Sequence, residues 1–216
     1  MILGGQKLVN QKQKSKNIRI LRNNNFNCFP VPYGTKEADG RYKAEGKTEL
    51  NQPITKNENF GYIPTKMNCI VDFDHSKFNE VLDKIAKKFM VIKTAHDRRH
   101  LPVINLGNDA TKIELFDYSI QDKKIIEIQG FKHYCIGVGS VLLEDGNTLE
   151  YANIGTDTIF DANGQDFDSF VDYICEKFKV VAKKKTDNQN YLMRQRFKEE
   201  KIPTKGTSND YFFNAA

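Results

Sequence analysis

No window of the 216-residue sequence approaches the roughly 18 apolar residues that a membrane-spanning helix needs. The opening "MILGGQKLVNQKQKSK" lacks the continuous apolar centre of a secretory leader, so a cytoplasmic protein without membrane association is expected. Paired cysteines are missing too. Cys28, Cys69, Cys135 and Cys175 are scattered, with no CxxC or CxxH. That spacing argues against a structural zinc site and against a disulfide framework, and leaves free thiols as the expectation. There is no internal repeat, no low-complexity tract, and no His-x-His of the kind a rolling-circle initiator pairs with its tyrosine.

What is present is an ordinary soluble composition, 39% hydrophobic and 28% charged, long enough for one domain with a core and a small appendage. The net charge of +5 permits a polyanionic partner such as DNA or a nucleotide without demanding one.

The pattern predicts a short helix over about 11–24, ending at an asparagine cluster. A strand in "FNCFPVPY" follows, then a long basic surface loop over 34–58. From residue 59 the chain is β-rich. "FGYIP", "NCIVDFD", "MVIKTA", "LPVINL", "KIELFDY", "KIIEIQG" and "HYCIGVGSVLL" read as strands, and "EDGNT" as a turn before "LEYANI". Between them "SKFNEVLDKIAKKF" (76–89) carries Phe78, Val81, Leu82, Ile85 and Phe89 at helical spacing, with Ser76 as its N-cap. Phe167, Phe170, Val171, Ile174 and Phe178 mark another helix, and 190–201 a further one. The expected class is α+β: a catalytic body over 1–160 and a helical appendage over 161–216.

Within "NCIVDFDHS" (68–76) Asp72 and Asp74 interrupt a run of strand-forming residues. Residues i and i+2 of a strand share a face, with Cα atoms roughly 6.5 Å apart. Two carboxylates so placed repel, and a divalent cation relieves that; hard oxygen ligands favour magnesium or manganese. The plainer alternative is a strand whose polar face meets water. Glu127, between Ile126 and Ile128, adds a third acid if its strand is a neighbour, enough for a two-metal phosphoryl-transfer site.

"KTAHDRRHLPV" (93–103) places His96, Arg98, Arg99 and His100 between two predicted strands. Arginine forks suit triphosphate oxygens. His96 and His100 also have the spacing of a zinc-protease helix, but Pro102 and the flanking strands predict a turn.

In order, these elements resemble the primase-polymerase branch of the archaeo-eukaryotic primase superfamily, over about residues 15–160. "FNCFPV" is similar to its "GFxVFPL" opening, and "ENFGYIPTKMNCIVDFD" to its first motif, "NxGhhTG…hhVhDhD". "KTAHDRRHLPV" stands in the place of the second motif, "TxxGGxHhYF", with Arg98 and Arg99 where glycines are usual. "IIEIQGFKHYCIGVGSVLLEDGNTLEY" resembles "hDhhxxGxYVVhPPSxH…GxxYEW", with "GVGS" for "PPS".

The resemblance implies an RRM-like mixed or antiparallel catalytic sheet beside a smaller N-terminal α/β unit. It implies Asp72, Asp74 and Glu127 as ligands of two Mg²⁺ or Mn²⁺ ions, and His100, with Arg98 or Arg99, on the nucleotide phosphates. Ser140, Gly146 and Tyr151 fall on its structural positions. The implied partners are single-stranded or primed DNA, dNTPs or rNTPs, and a replicative helicase domain or protein. The residues leave open a metal-dependent nuclease using Asp72 and Glu127, since Glu127-Ile128-Gln129 resembles an E-x-Q element, and a non-catalytic DNA-binding module.

Overall fold

The strand holding Asp72 lies at the middle of the largest sheet. A computed structural model describes residues 3–38, 51–117 and 123–182. Helix α1 (Leu3–Asn23) leads into β1 (Phe26–Val31), which pairs antiparallel with β2 (Asn59–Pro64). Next come β3 (Cys69–Phe73), a 3-10 turn over Ser76–Phe78, α2 (Asn79–Ile85), β4 (Ile92–Lys93) and β5 (Arg99–Ile104). β6 (Ile113–Asp117), β7 (Lys123–Gln129), β8 (Cys135–Ile136) and the hairpin β9 (Val141–Glu144) to β10 (Asn147–Glu150) follow. The described chain ends with β11 (Ala152–Asn153), β12 (Phe160–Asp161), α3 (Phe167–Phe178) and β13 (Val181–Ala182).

Among the described residues an eight-stranded sheet runs β11-β4-β5-β3-β7-β6-β13, with β12 added to β5 as the parallel pair. A three-stranded antiparallel sheet, β1-β2-β8, lies apart from it. The class is α+β with a mostly antiparallel sheet. No helix of the described residues is long and apolar enough to cross a membrane.

Strand alternation explains the two cores. Val71 and Phe73 face one side of the large sheet with Leu101, Val103, Leu115, Ile126 and Ile128, and helices α2 and α3 cover them through Leu82, Ile85, Phe170, Val171, Ile174 and Phe178. Ile70 faces the other side, where it joins Phe26, Cys28, Phe60, Tyr62, Ile92 and Cys135 between the two sheets. The first face is apolar apart from Arg99 near its edge; the second carries the acids.

Several elements differ from their sequence reading. Helix α1 is longer than expected, and its half-hidden side buries Lys14, whose ammonium donates to the carbonyls of Thr55, Lys56 and Glu58 at 3.2, 3.1 and 2.7 Å. Helix α2 is shorter than 76–89 because the 3-10 turn takes its start. That turn is capped by His75, whose ring accepts from the Lys77 amide, and not by Ser76; Val81 is exposed. "HYCIGVGSVLL" breaks at Gly137–Ser140 into β8 and β9.

Helix α3, expected in an appendage, packs on the same core as β3: the Phe178 ring meets Phe73 at 4.8 Å and Phe78 at 5.4 Å between centroids. β13 pairs with β6. The expected helix 190–201, the lysine-rich tail and residues 39–50 of the basic loop lie outside the described residues.

Candidate functional site

A row of side chains crosses the face of the large sheet that looks toward the small one. Asp72 on β3 is directly opposite His100 on β5 and Glu127 on β7, and Glu127 is opposite Glu114 on β6. Directly paired residues share a face with Cβ atoms about 5 Å apart. Glu127, named from its sequence context alone, is thus on the strand next to Asp72. His100 Nε2 lies 3.4 Å from Asp72 Oδ1, and the two side chains are 7% and 18% exposed.

Asp74, just past the end of β3, sits at the open rim, its amide donating to Ile125 at 2.9 Å. Burial first, and then the charge of Asp72, push its carboxyl above the ordinary carboxylate value; Lys124, 3.9 Å away, pulls the other way.

A β-bulge decides what surrounds the acids. Between Leu115 and Phe116 the β6–β7 register slips, so that Ile125 is the extra residue and turns to the helix side with Ile126. Lys124 is thereby returned to the acidic face, 3.3 Å from Glu127 Oε1, and Lys112 adds a second ammonium at 2.7 Å. Gln129 donates to the other Glu127 oxygen. Burial opposes the charge on Lys124, but Glu127, Asp74 and Glu114 outweigh it and hold its pKa above the ordinary value. His133, at the same edge, is lowered by burial and by Lys112 against the pull of Glu127.

The small sheet supplies the opposite wall. Cys135 on β8 is buried; a ligand atom from each of Asp72, His100 and Cys135 lies within 4.8 Å of the others. Burial, then Asp72, Glu127 and Asp74, raise the Cys135 thiol well above its usual value. Tyr62, fully buried on β2, has no hydrogen-bond partner for its hydroxyl, which is raised in the same way by burial and then Cys135 and Asp72. Tyr151 packs its ring 6.4 Å from that of His100, and burial lifts its phenol to about 12.

Asp72, Asp74, Glu127 and His100 therefore come together. Arg98, half-buried in the turn just before β5, donates its amide to Thr94 Oγ1 at 3.0 Å. Arg99 does not join them: it pairs with Phe73 in register and turns to the helix face, where it is 6% exposed and bound to Asp83 at 3.1 Å and Asp97 at 3.0 Å. Its place as a phosphate ligand is corrected to that of a clamp on the 94–97 turn, where Asp97 holds a positive φ of 57°. The zinc-protease spacing is also disposed of, since His96 is exposed and bonded to Glu144 at 2.6 Å while His100 points inward from a strand.

Ser140 and Gly146 hold the frame. Ser140 Oγ accepts from the Phe60 amide at 3.0 Å, and Asp145 and Gly146, both at positive φ, make the β9–β10 turn. Sequence reasoning missed Lys112, Lys124, Cys135 and Tyr62. The bulge and the pairing of β8 with β2 bring them in, and neither leaves a local spacing signal.

Asp72, Asp74 and Glu127 share this face with His100, and among the described residues Asp72, His100 and Cys135 are the group whose ligand atoms lie within 4.8 Å of one another. The two ammonium groups paired with Glu127 show that this face draws positive charge. Neither a protein-family model nor a curated protein matches the chain.

Proposed function

We propose that this chain is a template-directed nucleotidyl transferase of primase-polymerase type, making or extending primers on DNA. The carrying observation is the register that sets His100, Asp72 and Glu127 in one row facing the small sheet. An antiparallel sheet with α2 and α3 on one face and the acids on the other supports the RRM-like reading.

Asp72, Asp74 and Glu127 would hold two Mg²⁺ or Mn²⁺ ions. Bound there, such ions supply positive charge to the phosphates and lower the pKa of an attacking 3′-hydroxyl. The chain's own groups do the rest. His100, held between Asp72 and the Tyr151 ring, and Arg98, in the turn before β5, would neutralise the β- and γ-phosphates. Lys112 and Lys124 hold the Glu127 carboxylate in ion pairs. The apolar wall of Ile70, Ile92 and Phe60 excludes water from the side away from solvent. Exposed Lys12, Ser15, Lys16 and Arg19 line an open groove along α1 that suits a phosphate backbone.

A metal-dependent nuclease is the second reading, favoured by Glu127 and Gln129 side by side on the acidic face. Extension of a primed template with dNTPs and Mg²⁺ or Mn²⁺ tests both. Wild type should incorporate nucleotides, and Asp72→Ala/Asp74→Ala should not. His100→Ala should cripple incorporation; strand cleavage that survives it would favour the nuclease. Equal incorporation by the double variant would overturn the proposal.

A further inference from the structure

The metal ligands proposed above are oxygens, yet the same pocket contains nitrogen and sulfur. Asp72, His100 and Cys135 offer one carboxylate oxygen, one imidazole nitrogen and one thiol within 4.8 Å of one another. In a tetrahedral zinc site with bonds of 2.0–2.3 Å the ligand atoms are separated by about 3.5 Å. The difference is of the size that side-chain rotation can cover.

Two orphaned polar groups point to a ligand here. His100 is 6% exposed, its Nδ1 has no hydrogen-bond partner, and its Nε2 is 3.4 Å from the nearest carboxylate oxygen, long for a hydrogen bond. The Tyr62 hydroxyl is fully buried and without a partner, on a residue directly paired with Cys135. Buried polar atoms without partners are few in native proteins, and an ion or water that they face is a common reason. Here the Tyr62–Cys135 pair belongs to the small sheet, and the directly paired His100 and Asp72 to the large one.

We propose that Cys135, His100 and Asp72 form a binding site for Zn²⁺ or a similarly soft divalent cation, and that its occupancy switches off the site. Sulfur and imidazole select zinc over magnesium, whose bonding prefers oxygen alone. Binding exchanges the thiol proton for the metal: the S–H bond breaks, a Zn–S bond forms, and the proton leaves to solvent. Solvent or Tyr62 completes the coordination. Zinc so held takes Asp72 and His100 out of the set used for nucleotidyl transfer, a consequence that rests on the function proposed above. The binding itself does not.

Cobalt(II) titration of the full chain reads the site without turnover. A thiolate-to-cobalt charge-transfer band in the near ultraviolet should grow in, disappear in Cys135→Ser, and remain in Cys28→Ser. His100→Ala should weaken binding at least tenfold. X-ray absorption of the unaltered zinc-loaded protein guards against a variant that fails to fold, and should show a sulfur at about 2.3 Å beside nitrogen or oxygen at about 2.0 Å. No charge-transfer band in wild type, a band that survives in Cys135→Ser, or a shell of nitrogen and oxygen alone would overturn the site. Zinc should also arrest Mg²⁺-dependent extension, and the ratio of activity with and without zinc should rise toward one in Cys135→Ser. The band without any extension would refute the transferase and leave the zinc site standing; extension without the band would do the reverse.

Discussion

Phe178→Ala removes the ring that joins α3 to the strand carrying the acids. Phe178 is 6% exposed and stacks edge-on with Phe73 at 4.8 Å and with Phe78 at 5.4 Å. Phe73 in turn lies between Asp72 and Asp74, so the cavity would open directly behind the site. Truncating a buried Phe costs about 3–5 kcal/mol in lost transfer energy and cavity. The two edge-to-face pairs place this position at the upper part of that range, since each adds about 0.5–1.5 kcal/mol beyond area. For a chain of this size each kcal/mol moves Tm by about 2–4 °C, so a fall of about 10 °C or more is expected. Urea unfolding followed by circular dichroism gives the free energy directly, and Phe178→Leu should lose less than half as much. If Phe178→Ala cost under about 1 kcal/mol while Phe73→Ala cost the full amount, α3 would be the dispensable appendage that the sequence pattern suggests, and the packing argument would fail.

The other expectations are briefer. Arg98→Ala should leave Tm nearly unchanged and raise the nucleotide KM by about tenfold, equivalent to about 1.4 kcal/mol; Arg99→Leu should instead lower Tm, because its guanidinium is buried between Asp83 and Asp97. Lys14→Met should cost about 1.5–3 kcal/mol, the worth of charge-assisted bonds to buried acceptors, in a urea titration. Burial lowers the Lys14 pKa, so the folded protein sheds that proton first. Stability should therefore climb as pH rises from the folded value toward 10.5 and then level off, an increment that Lys14→Met should lack. In Gly155→Ala the new Cβ would stand 2.0 Å from the Phe89 carbonyl oxygen, a backbone atom that cannot yield; a loss of about 2–3 kcal/mol is expected by thermal melting.

Residues whose role follows from strand alternation were legible in the sequence. Asp72, Asp74 and Glu127 declare themselves as acids in apolar runs and His100 as part of a basic turn, and the strand register sets Asp72, His100 and Glu127 side by side. Arg99 was misread because adjacent strand residues face opposite ways: one position decides between phosphate and core, and a basic pair does not say which residue takes which. Lys124 was invisible because its side depends on a bulge at Ile125, which exists only once β6 and β7 are paired. Cys135 read as a scattered thiol for the same reason: its neighbour Asp72 is 63 positions away (135 − 72) and meets it across two different sheets. Helix α3 showed its apolar face plainly, but not what that face covers.

The register of β7 beside β3 makes Glu127 the residue on which the functional account turns. The direct measurement is the rate of Mn²⁺-dependent nucleotide incorporation on a primed template by Glu127→Gln, a variant that keeps the side-chain shape and removes the charge. A loss of about a hundredfold or more, measured at a temperature where circular dichroism shows the variant folded, is expected of a group that holds charge at the reacting phosphate. Incorporation at the wild-type rate would contradict the account.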